Sequence, residues 1–133
     1  MIVVDTNIIC YRCMPSPFAA QADALWQRDS EWIAPLLWRS EFRNALAGPL
    51  RKRLLTTDAA IEVANLAESL LMGHEFAVSA SAVLRLVAQS DCSAYDCEFV
   101  ALARDEKVPL VTVDRQILRD FPDHAISFDK FVR

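Results

Sequence analysis

Met1-Ile2-Val3-Val4-Asp5-Thr6-Asn7 and Leu110-Val111-Thr112-Val113-Asp114 share one design: a short, β-branched run that ends at an aspartate. A run of this kind without polar alternation reads as a strand buried on both faces. Such strands belong to parallel sheets covered by helices on either side. Asp5-Thr6-Asn7 then reads as the exit turn of the first strand. With both strands central and parallel, Asp5 and Asp114 project from the same carboxyl edge of the sheet, where ligands bind in open α/β folds.

Working outward, the remaining segments alternate between helix and strand. Residues from about Phe18 to Asp29 carry Ala22, Leu25 and Trp26 on one helical face. Trp32-Ile33-Ala34 reads as a second strand closed by Pro35. Leu36 to Ala47 reads as a helix, with Gly48-Pro49 as its stop and the main break in organisation. A second long helix is expected from about Asp58 to Met72, with Thr57 as N-cap and Gly73 as terminator. Phe76-Ala77-Val78 reads as a third strand, Ser81 to Ala88 as a helix, and Ser93 to about Glu106 as another. After Leu110–Val113, a short helix through Leu118 precedes Pro122, and Ala125–Phe128 reads as a fifth strand at the edge. Short apolar strands separated by helices predict an α/β fold: a three-layer α/β/α sandwich around a parallel sheet of four to five strands, formed by residues 1–133 as one domain.

Composition narrows the classes. Hydrophobic residues make up 53% and there are only two glycines, so the 133-residue chain can bury a core and is no linker. The net charge of −4 excludes a generally basic nucleic-acid coat. It does not exclude a nucleic-acid substrate, provided metal ions reverse the field of the acids near a phosphate. Cys10-x-x-Cys13 has zinc-pair spacing, but Cys92 and Cys97 do not repeat it, and reduced, mostly buried thiols are expected. His74 and His124 are isolated and read as surface residues. Core burial is expected for Trp26, Trp32 and Trp38. No apolar stretch approaches the ~20 residues of a membrane span, and the expected location is the cytoplasm.

Four acids carry the chemistry. Asp5 and Asp114 stand at strand ends, and each also suits the cap of a following helix. Glu41 falls in the apolar stripe of its helix, near Leu37, Trp38, Phe42 and Ala45. There a carboxylate is costly unless it binds a cation or reaches water at the stripe's rim. Arg39 and Arg43 fall outside the stripe. Asp96 fits both a ligand and the N3 acid of a Ser93-x-x-Asp96 capping box. Carboxylates that meet within a few ångströms repel by about 4 kcal/mol per pair at intermediate dielectric, and a hard cation such as Mg²⁺ relieves this.

The blocks Met1–Ile8, Pro35–Leu46 with Trp38-Arg39-Ser40-Glu41, Ser93–Ala103 and Leu110–Asp114 resemble the PIN-domain ribonucleases, in particular the VapC-like toxins of prokaryotic toxin–antitoxin pairs. The resemblance covers nearly the whole chain in order and spacing. It implies Mg²⁺ or Mn²⁺ held by Asp5, Glu41, Asp96 and Asp114, with Thr6, Asn7 and Thr112 supporting the site through hydroxyl or amide hydrogen bonds. It implies an endoribonuclease that leaves 5′-phosphate and 3′-hydroxyl ends, a homodimer, and inhibition by a small antitoxin. Cys97 departs from the alanine usual in the family. Asp91 reads as a solvated loop acid. Arg51, Lys52 and Arg53 read as a solvated helix start, with RNA or antitoxin contact as the alternative.

Three rivals stand beside this reading. A haloacid-dehalogenase-type phosphatase needs a second aspartate where Asn7 stands. A receiver module needs an acidic pair after the first strand and a lysine after the last, where this chain has Arg115. A catalytically silent PIN fold acting through protein or RNA binding retains all four acids without turnover.

Overall fold

The computed structural model describes residues 1–133, with the elements β1 (Ile2–Val4), α1 (Thr6–Cys13), α2 (Ala19–Arg28), β2 (Trp32–Pro35), α3 (Trp38–Arg51), α4 (Thr57–Leu70), β3 (Glu75–Phe76), α5 (Ala80–Ala88), α6 (Ala94–Glu106), β4 (Leu110–Thr112), α7 (Arg115–Asp120), β5 (Ala125–Ser127) and α8 (Phe128–Val132). The sheet runs β3-β2-β1-β4-β5, and every pairing is parallel. Helices cover it as the expected α/β/α sandwich. On the core side, α6 packs on β1, β2 and β4 and pairs with α5; α8 packs on β4, β5 and α2.

Topology decides where a ligand can sit. From β1 the chain steps outward to β2 and β3, then crosses back to β4 beside β1 and steps outward again to β5. The direction reverses between β1 and β4, so their carboxyl ends flank a crevice at the switch point. Val3 pairs with Leu110 and Val4 with Val111, which brings the ends of the two strands, and the aspartates beyond them, level. Ile2, Val3, Val4, Leu110 and Val111 are all buried, the physical basis of their uninterrupted apolar pattern.

Several boundaries differ from the sequence-based expectation: β4 ends at Thr112, not Val113, and Phe128, expected in the fifth strand, is buried and opens α8 instead. Thr6–Cys13 forms helix α1 rather than an exit turn. Asp5 caps it, and burial of Ile8, Ile9 and Cys10 outweighs the modest helix propensity of the β-branched residues. Gly48-Pro49 does not stop α3, which runs to Arg51 with Pro49 inside it. Pro49 deprives only the carbonyl of Ala45, an exposed residue whose oxygen water can serve, and the carbonyl of Pro49 still accepts from Leu54 N–H at 2.9 Å. The cap of α4 is Thr56, not Thr57, its hydroxyl accepting from Ala59 N–H at 3.1 Å. The third strand is Glu75–Phe76 rather than Phe76–Val78. Here Glu75 is drawn inward by Arg39, whose Nε and Nη2 donate at 2.6 and 2.7 Å, and by the indole N–H of buried Trp38 at 3.0 Å.

Most other expectations agree with the structure. Trp32 and Trp38 are buried, whereas Trp26, expected in the core, is half-buried against Trp32 with the Arg12 guanidinium over its ring. Cys10, Cys92 and Cys97 are buried free thiols, Cys13 a half-buried one. No helix is long and apolar enough to cross a membrane.

A candidate carboxylate active site

Asp5 leaves β1 and caps α1, and three donors fix its carboxylate. Oδ1 accepts the N–H of Ile8 at 3.1 Å; Oδ2 accepts the N–H of Val113 at 3.0 Å and the hydroxyl of Thr112. The last two come from the end of β4, so the neighbouring strand holds the acid of β1 in place. Asp114 caps α7 through Oδ1, which accepts from Ile117 N–H at 2.9 Å, while its own N–H donates to the Thr112 hydroxyl at 3.0 Å. The capping role and the site role fall on the same residues at both strand ends.

Glu41 sits in the first turn of α3, where Trp38, Phe42 and Leu46 form the buried face. It is half-buried, and neighbouring Ala45 is exposed, so Glu41 lies at the rim of the stripe rather than inside it. Its Oε1 accepts the hydroxyl of Thr6 at 2.8 Å, a bond from the start of α1. Asp96 is in the first turn of α6, and its N–H donates to the capping hydroxyl of Ser93 at 3.1 Å.

These four acids line one cleft of about 510 Å³. Asn7, Ser40, Asn44, Tyr95, Phe99 and Leu37 complete much of its wall, and no lysine or arginine contributes to it. Among the supporting residues, Thr6 and Thr112 make the hydrogen bonds expected of them; Asn7 lines the cleft but is exposed and bonds to neither acid. Ser40, Asn44 and Tyr95 were not singled out in the sequence. Asn44 lies one turn from Glu41 on α3, and Tyr95 immediately precedes Asp96, so helical phase alone was the available signal.

The electrostatics follow from burial and crowding. Burial pushes the pKa of Asp5 up and the charge of Asp114 adds to this, against the three hydrogen bonds that lower it. Glu41 is raised by burial, then by Asp96 and Asp5, with the Thr6 hydrogen bond opposing. Asp96 is raised by burial and by Asp114, with Ser93 opposing. None of the four forms a salt bridge.

The four acids expected to share a divalent ion meet in one cleft but do not form a metal-ligand cluster. No three Asp, Glu, His or Cys side chains surround a common point. Like charges without a countercharge repel, and helix N–H groups claim one oxygen each of Asp5 and Asp114. The donor set itself is oxygen-only, anionic and unneutralised, which fits a hard divalent cation and no softer metal.

Elsewhere, Arg51, Lys52 and Arg53 are exposed and lie at the C-terminal end of α3, not at a helix start. Their charge is favourable there against the helix dipole. Asp91 is exposed, with its N–H donating to Asp120 at 3.0 Å.

Comparison with known proteins places the fold and the family. No curated protein matches the chain. Among solved structures, PAE2754 from Pyrobaculum aerophilum superposes with a TM-score of 0.73 at 22% identity, covering 98% of this chain and 92% of that one. FitAcB from Neisseria gonorrhoeae gives 0.71 at 16% identity, covering 96% of this chain and 98% of that one. A FitAB structure bound to an IR36 DNA fragment gives 0.69 at 19% identity, covering 96% and 95%. These likenesses show a shared fold. A family profile described as the PIN domain matches residues 2–122, and with nearly the whole chain so matched, the protein belongs to the PIN-domain family.

Proposed function

We propose that this protein is a Mg²⁺- or Mn²⁺-dependent endoribonuclease that hydrolyses RNA phosphodiester bonds, acting as the toxin of a VapBC-type toxin–antitoxin pair. The observation that carries the reading is the convergence of Asp5, Glu41, Asp96 and Asp114 on one cleft without a countercharge. Family membership and the VapC-like resemblance support the nuclease class, the antitoxin partner and the homodimer.

In this reading the four carboxylates would hold the cation. When bound, a divalent cation lowers the pKa of a coordinated water and stabilises charge on the leaving oxygen. Asp5, fixed by three donors, is the most rigid ligand. Glu41, whose Oε1 is taken by the Thr6 hydroxyl, would serve through Oε2 either the cation or the proton of the attacking water. Asp96 and Asp114 complete the anionic set, with Thr6 and Thr112 keeping Glu41 and Asp5 oriented and Asn7 available to the substrate.

The test compares the parent with Asp5→Asn for Mg²⁺-dependent cleavage of single-stranded and structured RNA. The reading expects cleavage by the parent alone, abolished by chelation; equal cleavage by both would refute the site. The alternative, a catalytically silent PIN fold acting through protein or RNA binding, draws on the fact that no three acids surround a common point. Mn²⁺ calorimetry separates the two: metal binding without RNA cleavage favours the silent fold.

A further inference from the structure

The acidic floor of the cleft has an apolar, aromatic shoulder. Tyr95, the second residue of α6, lines the same cleft as the carboxylates yet is 62% exposed. Phe99, one turn further along and on the same side of the helix, is buried. Tyr95 extends that row past the edge of the core. Its ring pairs with no other aromatic, although Tyr11, Trp26, Trp32, Trp38 and Phe42 all do.

A lone exposed tyrosine means little by itself. Its position gives it meaning: Asp96 is its chain neighbour, and Leu37, Ala45 and Ile117 supply further apolar lining. A ligand suited to this cleft carries an anionic group for the metal-binding floor and a flat apolar group for the shoulder. A nucleotide within a flexible strand has both. An aromatic face attracts a nucleobase without adding charge, and does so whatever the base. Bases in a duplex are already stacked, so the platform is open only to unpaired ones.

We infer that Tyr95 is the base-stacking platform of this site, taking an unpaired nucleobase next to the scissile phosphate while the phosphate faces the four acids. The inference rests on the ribonuclease reading above and adds to it a substrate-binding residue outside the four acids. Tyr95 binds substrate; the chemistry stays with the carboxylates.

The test is steady-state cleavage of a short single-stranded RNA in Mg²⁺ by the parent, Tyr95→Phe and Tyr95→Ala, with nucleotides flanking the cut replaced one at a time by abasic ones. Tyr95→Ala is expected to raise KM about tenfold with a smaller loss of kcat, and Tyr95→Phe to stay near the parent. One abasic position is expected to cost the parent a similar factor and to cost Tyr95→Ala nothing further. Unchanged KM in Tyr95→Ala, or abasic penalties that multiply with the substitution, would overturn the stacking role while leaving the nuclease reading intact. That result would also follow if the ring served a protein partner instead. A parent that cleaves no RNA in Mg²⁺ removes the nuclease reading and this inference together.

Discussion

Thr112, fully buried at the end of β4, donates its hydroxyl to Oδ2 of Asp5 at the end of β1. The same oxygen of Thr112 accepts the N–H of Asp114, so one hydroxyl links both strand-end acids. Thr112→Val keeps the shape and removes this link, leaving a buried carboxylate and an N–H short of a partner. The expected cost is about 1–3 kcal/mol in urea unfolding. Loss of a donor to the charged form raises the Asp5 pKa further, so the acid limb of the cleavage profile should move to higher pH. Thr112→Ser should restore both properties.

Thr6 plays the matching part for Glu41 across the 2.8 Å bond from α1 to α3. Thr6→Val should lower kcat about tenfold, within the range of a misoriented general base. Stability should fall by only about 0.5–1.5 kcal/mol, because Glu41 is half-buried and water can replace the donor. Mn²⁺ calorimetry should show weaker binding than in the parent. An unchanged kcat and metal affinity would show that Glu41 does not need this partner.

The pKa shifts predict how stability depends on pH and on metal. Asp5, Glu41 and Asp96 are all raised in the fold. The folded state therefore holds protons that the unfolded chain releases. Their contribution is fully present below the unfolded values and is lost as pH rises through the raised folded values. Without divalent ions the melting temperature should fall as pH rises from about 4 to neutrality, as far as these groups control it. Mg²⁺ or Mn²⁺ should raise the melting temperature most at neutral pH, through a stabilisation of about 2.7 kcal/mol at a hundredfold excess over Kd. Thermal melts with and without chelator check both; a metal effect larger at pH 4.5 than at pH 7.5 would contradict the assignment.

Glu75 has the opposite sign. Hydrogen bonding from Arg39 holds its carboxyl below the usual range, so its contribution is present above the unfolded value and disappears as pH falls through the folded one. Glu75→Leu leaves the indole N–H of buried Trp38 without its acceptor and frees edge strand β3 from α3. Denaturant unfolding should show a loss of about 1–3 kcal/mol. RNA cleavage under stabilising conditions should remain, since Glu75 is not part of the cleft.

The elements that could be read from the chain were those whose burial leaves a period or a full apolar run. Ile2-Val3-Val4, Trp32-Ile33-Ala34 and Leu110-Val111-Thr112 are such runs, and each is a strand. Helix α1 could not be read this way: Thr6-Asn7-Ile8-Ile9 favours helix only because Asp5 caps it and the core takes its isoleucines. At Gly48-Pro49 the local rule for helix breakers lost because the one residue whose carbonyl loses its helical donor, Ala45, is exposed. Short β3 depended on Arg39 and Trp38, thirty-six and thirty-seven residues earlier, which no local pattern encodes.

By itself the sequence determined strands β1, β2 and β4, the parallel sheet, and the placing of Asp5 and Asp114 at strand ends, because apolar runs and their terminating residues are local features. Only the tertiary structure decided that β4 lies beside β1, which brings the acids of β1, α3, α6 and α7 onto one cleft and puts Thr112 against Asp5. Strand order is set by crossover connections and packing between residues more than a hundred positions apart, and side-chain periodicity carries no record of such pairings.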